Sequence, residues 1–254
     1  MRTSYKLATA AFGAAALLPL GVGSALAANG NATAQLRPVA LNGAKASGTA
    51  MVQVNGNTIS VTMAATGLLA NQPHAAHIHF GADARHECPI ASDDAKKDGH
   101  INTSDGAPAY GPVVVSLTKT GDTSAKSTLA VDRFNTAPGG KLSYERGSIK
   151  VASNVAAAVV AGQAIVVVHG VDYNGNGKYD GAVKSDLDPK LPTEATDPAI
   201  CGVLSAAPAG GMATGAGGAA QSGNNDGMLL LGGGMLMAAV GTGAFAARRA
   251  RATA

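Results

Sequence analysis

The pattern that most limits the fold of this chain is the pair of alternating runs of apolar and polar residues over 49–63, TAMVQVNGNTISVTM. An alternation of period two places all the apolar side chains of a strand on one face. Asn55-Gly56 interrupts the pattern near its middle, and Asn-Gly between two alternating runs is the strongest short-range signal of a β-hairpin. The sequence therefore predicts two antiparallel strands that bury one face.

Further short apolar runs predict strands along the rest of the chain. They are separated by Gly, Pro, Asn and Asp and lie at 35–41, 75–80, 113–117, 127–131, 148–151, 164–169 and 200–204. Residues 153–163 alone have the pattern of a helix, with Ser153 or Asn154 as its N-cap. Many short strands divided by turn residues indicate an all-β fold, a Greek-key barrel or sandwich of about eight strands.

The two ends of the chain have the composition of targeting segments. Residues 1–27 have a basic start, an apolar stretch and a small-residue end, which is the layout of a secretory signal peptide. Residues 228–247 carry no charge and precede three arginines, so we expect a transmembrane helix followed by a cytoplasmic basic tail at 248–254. The Ala/Gly-rich residues 206–227 predict a stalk. A cleaved sorting tail is the alternative for the C-terminal span.

The charge of the part between these ends argues against one class of partner. Five of the 19 basic residues and one of the 16 acidic residues lie outside residues 28–205, so this part is close to neutral. A protein that binds nucleic acid needs a basic face to neutralise phosphates. We therefore expect no nucleic acid as partner, and an exported β domain at 28–205 that the C-terminal helix anchors to the membrane.

Cys88 and Cys201 are the two cysteines of the chain. In an exported protein such a pair predicts a disulfide. The bond would close a loop of about 110 residues, which in the chain-entropy model is worth roughly 4–5 kcal/mol. Two free buried thiols are the alternative.

Four of the six histidines lie within 73–89, PHAAHIHFGADARHECP. On a strand, His77 and His79 point to the same face and form half of a metal site. His169 ends another apolar strand, AIVVVHG, and His100 lies in a long polar segment. Imidazoles that converge from separate segments suit copper best and zinc next. The alternative is that they are polar core or loop residues.

These motifs resemble the copper/zinc superoxide dismutases. HAAHIHFG at 74–81 is similar to the copper-ligand strand of that family, VVVHG at 166–170 to the strand of its last copper ligand, and AICGVL at 199–204 to its terminal strand with the second half-cystine. The resemblance covers roughly residues 48–204 in the same order. It implies an eight-stranded Greek-key barrel and, if the protein is active, the disproportionation of superoxide. The copper ligands that it implies are His77, His79 and His169, with His100 as the candidate for the remaining one.

The chain departs from the dismutase pattern in two respects. The zinc site of that family needs two further histidines and an aspartate in the first long loop, and only His86 is spare, so we expect no zinc site. The family also places an arginine that attracts superoxide three residues before the second cysteine, where this chain has Pro198. Electrostatic steering of an anion would then be weaker. A copper-only dismutase and an inactive relative both fit these departures.

A second resemblance is to the chordin-type (CHRD) domain, a β-sandwich module of secreted and surface proteins. The segment ATGLLANQPHAAHIHFG at 65–81 is similar to its pattern. This resemblance implies a non-catalytic module for display or interaction at the cell surface. The cysteine pair and VVVHG favour the dismutase-like alternative, and the missing arginine and zinc ligands favour the module.

Two long polar segments, 81–111 and 170–198, interrupt the strands, and long loops of this kind are usually functional or disordered. The second contains DYNGNGKYDG at 172–181, which is similar to the first half of an EF-hand calcium loop. The oxygen ligands that it offers are Asp172, Asn174, Asn176 and Asp180. Val183 stands where a bidentate Glu belongs. The alternative is an Asn/Gly-rich tight turn.

Overall fold

The computed structural model of this chain describes residues 28–207. The predicted signal peptide, transmembrane helix and basic tail lie outside the described residues, as does the stalk beyond residue 207. Within residues 28–207 no helix is both long enough and apolar enough to cross a membrane.

Eleven strands and three helices make up the described part. The strands are β1 (Asn29–Pro38), β2 (Ser47–Asn55), β3 (Thr58–Thr66), β4 (Pro73–His74), β5 (Ala76–His79), β6 (Val113–Ser116), β7 (Asn135–Thr136), β8 (Leu142–Lys150), β9 (Ile165–His169), β10 (Pro198–Val203) and β11 (Ser205–Ala206). The helices are α1 (Thr103–Tyr110), α2 (Ser153–Val160) and α3 (Thr193–Thr196).

Nine of the strands form one antiparallel sheet in the order β6-β5-β9-β10-β1-β2-β3-β8, with β11 paired to β1, and β4 pairs with β7 in a separate two-stranded sheet. The larger sheet curls into a half-barrel, which confirms the predicted all-β class. Its two edge strands, β6 and β8, are linked by side chains rather than by a ladder of backbone bonds. Tyr144 and Arg146 of β8 donate hydrogen bonds to the carbonyl of Thr118, just beyond β6, at 3.3 and 2.7 Å.

The hairpin of β2 and β3 confirms the prediction from the alternating pattern. Asn55 pairs with Thr58, so Gly56 takes the first central position of a two-residue turn, with a φ of 58°. Glycine adopts this positive φ without steric cost. The side chains at alternate positions, Ala50, Val52 and Val54 of β2 and Ile59, Val61, Met63 and Ala65 of β3, face the main core, as the period of two requires.

One predicted strand is wrong, and one predicted helix is confirmed with different bounds. Residues 127–131 form no strand but part of two 3₁₀ turns, Ala125–Ser127 and Val131–Arg133, and the apolar side chains of Leu129 and Val131 stay 40% and 39% exposed instead of entering a core. The strand in this region is β8, of which only the end at 148–151 was predicted. A register shift opposite Ile59 and Val61 breaks the alternation of β8 and hides it in the sequence. The helix at 153–163 ends at Val160, and its N-cap is Ala152 rather than Ser153 or Asn154.

Strand β9 is buried on both faces, which explains its unbroken apolar run. Val166 and Val168 belong to the main core inside the curled sheet. Ile165 and Val167 point the other way, into a smaller core with Tyr110 and Cys201. The outer face of the sheet at this strand is therefore covered by the first long polar segment.

The disulfide between Cys88 and Cys201 holds that cover on the sheet. The two Cα atoms are 5.7 Å apart, and neither cysteine is free, which excludes the alternative of two thiols. Cys88 lies in the segment after β5 and Cys201 lies within β10. The bond therefore joins the first long segment to the centre of the sheet.

We predict that replacing both cysteines by alanine lowers the free energy of unfolding by roughly 2–5 kcal/mol, because the unfolded chain regains the entropy of an open loop. Urea denaturation of the variant and of the oxidised wild type measures the difference. Reduced wild-type protein is the matched control and should unfold at the same urea concentration as the variant. Equal midpoints for the variant and the oxidised wild type would contradict the prediction.

Candidate metal centre

His77, His79 and His169 come together because β5 and β9 are neighbours in the sheet. His77 lies opposite Val167 and His79 lies opposite Ile165. His169 is two residues beyond Val167 and therefore projects from the same face. The antiparallel register thus places all three imidazoles on the outer face, beneath the first long segment.

The three rings form one compact and buried group. The ring centroid of His77 is 5.1 Å from that of His169 and 5.7 Å from that of His79, and the remaining pair is 6.2 Å apart. One ring nitrogen of each residue lies within 4.8 Å of the other two. Each side chain is at most 3% exposed. No other group of three or more possible metal ligands occurs within residues 28–207.

Three backbone carbonyls fix the tautomers of these rings. They accept from Nε2 of His77 (Thr128 O, 3.1 Å), from Nδ1 of His79 (Gly111 O, 2.8 Å) and from Nδ1 of His169 (Thr196 O, 2.6 Å). Since a carbonyl oxygen can only accept, each of these nitrogens carries the proton. The lone pair of each neutral ring is then on the other nitrogen, which faces the group.

The lone-pair nitrogens are Nδ1 of His77, Nε2 of His79 and Nε2 of His169. All three are buried without a hydrogen-bond partner. Buried polar atoms are almost always hydrogen-bonded, because an unpaired one costs about 1–3 kcal/mol. Three such atoms converging on one point have the arrangement of a metal-ligand set.

Burial keeps these histidines neutral. It lowers the pKa of His79 to about 3 and that of His169 to about 4, and the partial charges of neighbouring imidazoles act in the same direction. The pKa of His77 is also far below its usual range, first because of burial and then because of His169 and His79. A neutral imidazole is the form that binds a metal ion, so all three are ready to bind one at neutral pH.

Helix α1 supplies part of this support, and the sequence predictions missed it. Its N-terminus has a capping box in which the Asn102 side chain accepts from Asp105 N at 3.0 Å and Asp105 accepts from Asn102 N at 3.2 Å. Gly106 and Pro108 are poor helix formers and hide the helix in the sequence. The spacing of Asn102 and Asp105 was the signal that could have revealed it.

The C-terminal end of α1 contacts the metal-ligand set. The Tyr110 ring lies edge-on to His79 with the centroids 4.4 Å apart, and the next residue, Gly111, accepts the His79 hydrogen bond. Tyr110 also packs on its own helix, where a Cβ at Gly106 would lie 2.4 Å from the tyrosine ring. Glycine at this position lets the tyrosine fold back onto the helix and orient His79.

His100, the fourth predicted ligand, is not brought to this group. Its Nε2 lies 3.7 Å from a carboxylate oxygen of Asp197, and its Nδ1 lies 3.3 Å from one of Asp98. The ring also packs on Tyr173, with the centroids 5.2 Å apart. The residue therefore links the first and second long segments.

The other two histidines also have structural partners. The ring nitrogens of His74 lie 2.8 Å from the carbonyl of His169 and 3.0 Å from that of Leu69, so His74 supports the end of β9. His86 donates a hydrogen bond from Nε2 to Gly81 O at 2.8 Å and stacks on Phe80. Neither belongs to the three-histidine group.

The oxygens of the calcium-like loop are hydrogen-bonded within the loop. Asp172 accepts from three backbone N–H groups, including that of Gly177 at 2.9 Å. The amides of Asn174 and Asn176 donate to the two oxygens of Asp180 at 2.9 and 2.8 Å. This bonding is that of an Asn/Gly-rich tight turn.

A pocket that opens to solvent lies over the three histidines. The buried imidazoles form its floor. Leu129, Val131 and Leu187 form its rim and are 39–43% exposed. Among residues 28–207, those that line this pocket include no Lys, Arg, Asp or Glu.

The CHRD domain family model matches residues 26–178 of this chain. Among solved structures, a mutant of Candida albicans superoxide dismutase 5 aligns at 15% identity over 70% of this chain and 92% of the dismutase chain, with a TM-score of 0.36. A likeness of this extent assigns no residue and no activity here. No curated protein matches.

We predict that the metal-free protein loses stability as the pH falls from about 6.5 toward 4. The pKa values of His79 and His169, about 3 and about 4, lie below the usual 6.5, so in this window the unfolded chain binds more protons than the folded chain. Burial raises the pKa of Asp197 to about 6, which acts in the opposite sense but for one group only. Thermal unfolding as a function of pH measures the net effect.

The matched variants for this experiment are His79→Gln and His86→Gln. Removal of the buried His79 should make the melting temperature depend less steeply on pH. Removal of His86, which lies outside the group, should leave the pH dependence of the melting temperature unchanged. A melting temperature of the wild type that stays constant over this window would contradict the prediction.

Proposed function

The chain belongs to the CHRD domain family, and we propose that this member binds one copper ion through His77, His79 and His169. The observation that carries the proposal is the set of three buried ring nitrogens that have no hydrogen-bond partner. A binding function accounts for their burial, because a bound ion supplies the partner that each lone pair lacks.

The chemistry of the ligands favours copper. All three are imidazoles, and the group contains neither carboxylate nor thiolate. Imidazole suits copper and zinc, and affinity for divalent ions at nitrogen sites is highest for Cu²⁺. Zinc is the second candidate, since three histidines with one open position also form zinc sites. The ligand atoms would be Nδ1 of His77 and Nε2 of the other two.

The residues around the ligands would hold the site in one geometry. The carbonyls of Thr128, Gly111 and Thr196 fix the orientation of the three rings, as outer-shell partners do in metal sites. Tyr110 and the first long segment exclude bulk water from the group. When bound, copper would supply one-electron redox chemistry or a Lewis acid.

Superoxide disproportionation is the activity that the resemblance to dismutases would add. It requires an anion to reach the metal, and anionic substrates are usually attracted by positive charge at the site. The described lining of the pocket contains no cation, and Pro198 occupies the position of the steering arginine. We therefore propose copper binding as the function, with inefficient dismutation. A display module that binds no metal is the competing proposal.

We also propose that the domain acts outside the cell and is held at the membrane by residues 228–247. The composition of residues 1–27 and the Cys88–Cys201 disulfide support an oxidising destination. Detection of the β domain by protease digestion of intact cells would test this. Protection of the domain in intact cells, with digestion after lysis, would contradict it.

We predict that the wild-type exported chain, reconstituted with copper and zinc together, retains about one copper per chain. The variant His77→Ala/His79→Ala should retain none, because two of the three ligand atoms are missing. Elemental mass spectrometry after gel filtration gives the metal content. Stoichiometric copper in the double variant would remove these residues as ligands.

Two further variants serve as controls. His100→Ala and His86→Gln change histidines outside the three-residue group and should retain one copper per chain. His79→Gln tests the site with less disturbance of packing than alanine, and circular dichroism reports whether each variant is folded. Absence of copper and zinc from the folded wild type would favour the display module.

A further inference from the structure

The three-histidine group borders a pocket on one side. The protonated nitrogen of each ring faces a backbone carbonyl, so the protein occupies that side of each imidazole. The opposite nitrogens face one another above the floor of the pocket. Three protein ligands leave a coordination position for a further molecule. A molecule that takes this position must come through the pocket.

The walls of the pocket are apolar. Above the histidines the side chains are those of Val113, Leu129, Val131, Leu187, Leu191 and Ala195. Leu129, Val131 and Leu187 are among the most exposed large apolar side chains of the described residues, and all three are at this rim. Exposed apolar side chains gathered around one opening typically mark a binding site.

The hydroxyl groups in the walls already form hydrogen bonds within the protein. The Thr128 hydroxyl bonds to Ala125 O at 2.6 Å, and the Thr196 hydroxyl bonds to Ser185 Oγ at 2.8 Å. Thr103 and Tyr179, the other two hydroxyl residues of the lining, bond to Thr196 O and to the His74 ring. A charged ligand would therefore lose its hydration in the pocket without gaining hydrogen bonds from the walls.

The charges of the protein itself near the pocket also disfavour an anion. Asp186 precedes the rim residue Leu187, and its negative charge acts on His169 and Tyr110. Asp186 is held beside α1, where it accepts a hydrogen bond from Ser104 N at 2.7 Å. In a pocket that excludes water, a like charge is repelled more strongly than it is in solution.

We infer that this pocket selects a neutral, apolar small molecule with one nitrogen or oxygen donor atom, which coordinates the histidine-bound copper while its apolar body contacts the leucine rim. The inference rests on the proposed function, because the donor atom needs a metal to bind. It names a ligand class different from superoxide, and it makes Leu129 and Leu187 residues that determine specificity.

The experiment uses the copper(II)-loaded chain and three probes: 4-phenylimidazole, imidazole and azide. Titration above about pH 7.5 keeps the azoles largely neutral. The visible absorption and the electron paramagnetic resonance of copper report binding, and metal content is measured again after each titration. We expect 4-phenylimidazole to bind at least about tenfold more tightly than imidazole, since burial of a phenyl ring is worth more than this factor. Azide should bind more weakly than imidazole.

The variant Leu129→Glu places a carboxylate at the rim and should reduce the preference for the phenyl-bearing azole to less than about threefold, because the ring would then contact a charged group. Ile90→Glu is the matched control, since Ile90 is 53% exposed and does not line the pocket. It should keep the wild-type preference. Affinities are compared per bound copper, so a variant with less metal remains interpretable.

The outcomes separate this inference from the proposed function. A folded chain that takes up no copper overturns the proposed function and the inference with it. A chain that takes up copper but binds azide as tightly as 4-phenylimidazole overturns the inference alone. Equal affinity for the two azoles in the wild type also overturns it, because the walls would then contribute nothing to selection.

Discussion

The antiparallel pairing of β5 with β9 is the interaction on which the rest of the site depends. It joins strands that are more than 80 residues apart in the chain and sets the register in which His77 faces Val167. A slip of one residue would turn His77 and His79 into the main core and move Ala76 and Ile78 outward. Burial of Ile78 inside the curled sheet therefore determines where the imidazoles point.

Burial of three imidazoles without partners for their inner nitrogens costs stability, and the surrounding structure offsets that cost. The first long segment is held over the sheet by the Cys88–Cys201 bond and by α1, which together carry the apolar contacts of the smaller core. The carbonyls of Thr128, Gly111 and Thr196 come from three separate parts of the chain. An unfavourable arrangement of this kind, which the surrounding fold holds in place, is typical of a binding site.

The site combines three imidazoles that could ligate a metal with an approach lined by no charged side chain. These properties come from different elements: the ligands from the sheet, and the approach from the 3₁₀ turns around Leu129 and the second long segment around Leu187. Loops can change without disturbing the strands that they connect. Membership of the CHRD domain family and resemblance to a dismutase motif are therefore compatible, because the three histidines and the walls of the pocket are carried by separate parts of the fold.

The sequence by itself determined the all-β class, the β2–β3 hairpin, the disulfide pair and the common face of His77 and His79, since each follows from local periodicity or from residue count. It also suggested His169, from its place at the end of an apolar run and from a resemblance. Only the tertiary structure decided that His100 lies beside Asp197 instead, and that α1 supports His79. It alone gave the apolar pocket, whose walls come from loops distant in sequence. Contacts of this kind depend on how strands pair and loops fold back, and no local pattern in the chain encodes that arrangement.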